Sequence, residues 1–138
     1  MNDSQSIGSE AFHWLDQHMI ESADTPDEAF DWVYMTRQQD WPLFEAVWDR
    51  RPVEWREAFA YLLCNGPVHE SRRILQLALF DSNPQVCAEA ACTICCHHRL
   101  EPEHVILDSA VVERLKQVFD ENQGRHMEEV GFVLAKLR

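Results

Sequence analysis

Glycine is scarce in this chain, at 4 of 138 residues, and its 6 prolines are scattered. That poverty excludes a collagen-like or low-complexity polymer. Long apolar runs are missing as well, and no stretch approaches the roughly 18 residues that a membrane-spanning helix requires. Positive charge is in short supply, with 12 Lys and Arg against 24 Asp and Glu and a net charge of -12. Such a chain repels nucleic-acid phosphates and anionic membrane surfaces, so neither is expected as a partner. Residues Met1–Ser6 carry neither the basic nor the apolar segment of a secretory signal, and the expectation is a cytoplasmic protein.

What is present is a core. Hydrophobic residues make up 46% of the chain, too many for intrinsic disorder. They recur at spacings of three and four, the period of an amphipathic helix, and period-two alternation is rare. Phe12, Leu15 and Met19 mark a first helix over residues 9–20. Thr25-Pro26-Asp27-Glu28 is a helix start, with Thr25 as cap, and Phe30, Val33, Tyr34 and Arg37 share a face beyond it. Phe44, Val47 and Trp48 mark a third helix, and Trp55, Phe59, Leu62 and Leu63 a fourth, which Asn65-Gly66-Pro67 ends. Ile74, Leu75, Ala78 and Leu79 stripe a fifth, and Asn83-Pro84 opens a sixth reaching about residue 98. Two more are expected over residues 109–119 and 125–137. The chain reads as one all-α domain, residues 1–138, of about eight helices. Residues 1–40 form an acidic, aromatic hairpin, and residues 41–138 a series of degenerate helical repeats; a compact bundle is the alternative.

Three turn-plus-helix segments align on Asp49, Asp81 and Asp120. The first two share Asp, Pro, Glu and Ala at matching offsets, and the third keeps the Asp and the Glu. One helical hairpin cannot bury its apolar face alone, so copies stack. The middle segment resembles a HEAT-type repeat: Asp81, Asn83-Pro84, Val86, Ala90 and Ile94 sit where that family has its turn and inner-helix residues. Where the family commonly has Arg, this chain has Cys87, with Trp55 and His126 at the same offset. The Asp–Arg ladder linking neighbouring HEAT repeats is therefore expected to be absent. The resemblance implies an α-α superhelix of HEAT/armadillo kind and a scaffold for binding another macromolecule, without catalysis.

Charge marks two candidate surfaces. The first 36 residues hold eight carboxylates and no Lys or Arg. Among them, Asp24, Asp27, Glu28 and Asp31 surround Trp32, which lies off the apolar stripe. An exposed Trp among carboxylates has the composition of a hot spot for a basic protein, whereas a broad apolar face would bury it. The second surface is the series Glu57, Glu89 and Glu128, at one offset in each repeat.

The chain has five cysteines, four of them within residues 87–96, too clustered for a disulfide framework. Cys92, Cys95, Cys96, His97 and His98 are of the zinc-ligand types. On one helix they do not converge, and small thiols also suit tight helix packing. Phosphate loops, nucleophile elbows and His-Glu-x-x-His are absent, so neither enzyme activity nor a cofactor is expected. The composition points to a small acidic protein-binding module, sharpest as an inhibitor or immunity-type protein that neutralises a basic partner. Alternatives are an adaptor or assembly subunit binding through its groove, and a metal-binding protein using the Cys/His helix.

Overall fold

The computed structural model describes residues 7–24 and 26–137. Eight α-helices follow in order: α1 (Glu10–His18), α2 (Asp27–Tyr34), α3 (Asp40–Val47), α4 (Val53–Leu62), α5 (Val68–Leu79), α6 (Pro84–Leu100), α7 (Ser109–Glu121) and α8 (Glu128–Lys136). There is no strand among the described residues. Short 3₁₀ turns link several of the helices. The even-numbered helices adjoin one another, α2 on α4, α4 on α6 and α6 on α8. On the other side α3 packs on α5 and α5 on α7. Phe12 of α1 meets Phe44 of α3 with ring centroids 4.9 Å apart, which completes the second layer.

Local chemistry explains the helix starts. Ser9 caps α1, its hydroxyl accepting from the Phe12 amide at 3.3 Å. Asn83 caps α6 with bonds to the amides of Gln85 and Val86, and Pro84 occupies the first helical position. Asp108 caps α7 through the Val111 amide at 2.9 Å. The expected Thr25 cap lies outside the described residues. The helix expected from residue 125 begins three residues later, because Gln123, Gly124 and His126 adopt positive φ of 55°, 72° and 58°. Tyr34 and Arg37, expected on the inner face of α2, are exposed; Ala29 and Val33 make that face.

Two buried carboxylates fasten the layers. Asp40, wholly buried, accepts from the Ser9 amide and hydroxyl at 2.8 and 2.5 Å and from the Arg37 amide at 2.8 Å. It joins the cap of α1 to the start of α3. Asp81 accepts from the Trp48 indole at 3.0 Å, the Asn83 amide at 2.9 Å and the Arg56 guanidinium at 2.5 Å. The expected absence of an Asp–Arg ladder concerned the offset of Trp55, Cys87 and His126; Arg56, one position after Trp55, does reach Asp81. The rung does not extend along the chain, since Asp49 and Asp120 are exposed. Beside Cys87, where the family places its own arginine, Arg114 of α7 arrives instead, 3.1 Å from the Cys87 sulfur and bonded to the Leu79 carbonyl.

Candidate functional site

Glu54, Glu57 and Glu89 lie on α4 and α6, two helices packed on each other. Trp55, Phe59 and Leu62 turn α4 toward the core, which leaves Glu54, Glu57, Ala58 and Tyr61 along another face. That spacing of three, four and seven is one helical stripe. Glu57 on α4 and Glu89 on α6 are half-buried. Burial, and then the charge of Glu57, hold the Glu89 carboxyl above the usual carboxylate range. Neither group is paired with a Lys or Arg among the described residues.

These acids border a groove of about 360 Å³, whose lining includes Ile20, Pro26, Glu54, Glu57, Tyr61 and Glu89. Ile20 and Tyr61 are 48% and 47% exposed, large apolar groups beside unpaired carboxylates. Phe30 of α2 supports Tyr61, with ring centroids 6.2 Å apart. Ile20, Ser22, Ala23 and Pro26, between α1 and α2, also line it. Asp24, close to them in sequence, is exposed.

The remaining candidates are placed as follows. Asp27, Glu28 and Asp31 are exposed on α2. The sequence left Trp32 open between an exposed hot spot and burial in a broad apolar face. It is half-buried and stacked on Trp14, with centroids 5.7 Å apart and planes 19° apart, and its indole nitrogen donates to Glu28 at 3.2 Å. Aromatic stacking across α1 and α2 accounts for it. Glu128 stands at the first position of α8 and not one turn inside, since the positive-φ turn displaces the helix start. Burial pushes the Cys92 thiol up to about 11, and the charges of Glu89, Glu128 and Glu129 add to it. Glu129 itself is paired with Arg99 at 2.6 and 2.8 Å. Glu54, Tyr61 and Ile20 were not singled out from sequence. The stripe on α4 carries the signal for the first two; Ile20 has none, since its role depends on the turn after α1.

The Cys/His helix is largely core. Cys95 is buried, and its thiol is pushed up to about 12 by burial and then by Cys92. His97 is buried against the Leu63 carbonyl at 2.8 Å, and His98 bonds to the Val105 carbonyl at 3.1 Å. Thiols held protonated in this way are poor nucleophiles. The metal-type ligands that do converge among the described residues lie just beyond α6: Glu101, Glu103 and His104 bring one ligand atom each within 4.8 Å of one another. His104 sits 2.8 Å from Glu101, and the ring of His69 on α5 is 5.8 Å from that of His104.

No protein-family model, curated protein or solved structure matches the chain. Among the described residues no helix is long and apolar enough to cross a membrane.

Proposed function

We propose that this chain is a protein-binding module whose α4–α6 groove receives a Lys- or Arg-bearing segment of a basic protein, and that it acts as an inhibitor of that partner. The supporting observation is the half-buried pair Glu57 and Glu89, like-charged, without a paired cation among the described residues, beside the exposed Tyr61 and Ile20. Desolvated like charges raise the energy of the free protein, and a guanidinium or ammonium between them relieves it. An aromatic and an aliphatic group next to them suit the stem of that side chain. The net charge of -12 steers a cationic partner toward the chain.

The test is to recover the native partner with the tagged chain and to compare affinities. The reading expects a basic partner, salt-weakened binding, and an affinity loss of roughly a hundredfold in the Glu57→Gln/Glu89→Gln variant. An acidic partner, or an unchanged affinity in that variant, overturns it. If Asp27→Asn/Asp31→Asn costs more than the groove variant, the docking face is α2 instead.

A second reading, metal binding, is favoured by the Glu101, Glu103 and His104 set with His69 nearby. Carboxylate oxygens and imidazole nitrogens from two elements are a zinc-type donor set. Titration calorimetry with zinc checks it: a saturable site lost in Glu103→Ala and His104→Ala supports the reading, and no heat beyond dilution removes it. Its donors lie outside the Cys92–His98 ligand set considered from sequence.

A further inference from the structure

The connection between α6 and α7 is secured at one end only. Pro102–His104 form a 3₁₀ turn, with the His104 amide on the Glu101 carbonyl at 3.0 Å. The Val105 carbonyl accepts from Nδ1 of His98 at 3.1 Å. Beyond it the chain runs to Asp108, the cap of α7, without regular structure. The amides of Ile106 and Leu107 have no hydrogen-bond partner among the described residues, and Ile106 is 82% exposed. These residues line, with Leu75, Ile94 and Val111, a cavity of about 280 Å³. A strap with so few backbone bonds opens at low cost.

The metal-type ligands stand at the root of this strap. Glu101, Glu103 and His104 bring one ligand atom each within 4.8 Å of one another, and Nδ1 of His104 is 2.8 Å from a Glu101 oxygen. Two atoms bound to one tetrahedral zinc lie about 3.3 Å apart, so the Glu101–His104 edge is near its liganded length. Two carboxylates offset the divalent charge, and the imidazole binds as a neutral group. Three protein ligands leave the fourth position of the tetrahedron open.

His69 is placed to fill that position from a different element. It is exposed in the first turn of α5, and its ring centroid is 5.8 Å from that of His104, with the planes 71° apart. Two imidazoles on one tetrahedral zinc have their centres about 5 Å apart, because each ring centre lies about 1 Å behind its ligating nitrogen. Rotation of two exposed side chains closes the difference. Arg72, the cation nearest to His69 in sequence, is held on the His69 carbonyl at 2.6 Å. We propose, resting on the metal reading above, that His69 is the fourth ligand and that zinc acts as a clasp, tying the α6–α7 connection to α5 and so restraining residues 105–107 beside the cavity. A site closed by four protein ligands is of the structural kind, and its effect falls on the strap and not on a bound water.

The test titrates zinc chloride into the full chain, with calorimetry and amide hydrogen exchange read on the same protein. Zinc is expected to bind saturably and to slow exchange at residues 105–107 by at least about fivefold. His69→Ala, at an exposed position that leaves the core intact, is expected to lose at least about tenfold in affinity and most of that slowing. No saturable heat, or binding that His104→Ala leaves unchanged, overturns the metal reading and the clasp with it. Binding that His104→Ala abolishes but His69→Ala leaves unchanged keeps the metal reading and overturns the clasp. Exchange at residues 105–107 that saturating zinc does not alter likewise overturns the clasp alone.

Discussion

Replacing Asp81 with Ala tests how the hairpins are joined. The substitution removes three hydrogen bonds, from Trp48, Arg56 and Asn83. The neutral bonds are each worth about 1 kcal/mol. The larger loss is at Arg56, whose side chain is 14% exposed and whose Nε already lacks a partner. Stranding one member of a buried pair costs about 3–5 kcal/mol, and that range is the expected loss. For a chain of this length it corresponds to a fall in Tm of about 10–20 °C. Urea unfolding followed by far-UV circular dichroism measures it. A second variant, Asp81→Ala/Arg56→Met, removes both charges and is expected to recover at least half of the loss, since an apolar replacement of both partners is close to neutral. A single variant within about 1 kcal/mol of the parent, or a double variant no better than the single, would refute the reasoning.

Glu89→Gln is expected to stabilise the free protein by about 0.5 kcal/mol at neutral pH while weakening partner binding. The sign follows from the raised carboxyl. The folded chain holds that proton to higher pH than the unfolded chain, so the contribution is full at low pH and lost as pH rises through the folded value. Thermal melts of both proteins across that range check it, and parallel pH profiles would contradict it. Asp40→Ala leaves the Ser9 and Arg37 donors unpaired and is expected to cost about 2–4 kcal/mol. Hydrogen exchange then shows the amides of α1 opening first; uniform loss across all helices speaks against a local clasp. Cys92 and Cys95, with thiols pushed up to about 11 and about 12, are expected to react with iodoacetamide at neutral pH far more slowly than an exposed free thiol. Rapid labelling of either would remove the reading of α6 as packed core.

The helices themselves were legible because their signals are local. Ser9, Pro52, Asn83 and Asp108 each precede a helix, and the apolar period marks its inner face. Glu57 and Glu89 come to line one groove because α4 packs on α6. Trp32 was left open between exposure and burial because its burial depends on Trp14, which α1 delivers from a separate helix. Asp40 resembled one more acid beside a tryptophan; its burial depends on Ser9, 31 residues away. The place of His97 was unreadable for the same reason: its partner, the Leu63 carbonyl, comes from just beyond α4, 34 residues away.

Helix α6 has neighbours in α4, α5, α7 and α8. A cylinder packed on several sides has little room for long side chains, and Cys87, Ala88, Ala90, Ala91, Cys92, Thr93, Cys95 and Cys96 meet that limit with small ones. The consequence concerns mutational tolerance. Most helices of the chain have an exposed stripe on which substitutions can accumulate, but α6 offers one only at its ends and near Glu89. A random substitution library selected for folded protein should therefore show its deepest depletion along residues 86–97, with enlargement at the alanines and cysteines penalised as heavily as polarity at the leucines elsewhere.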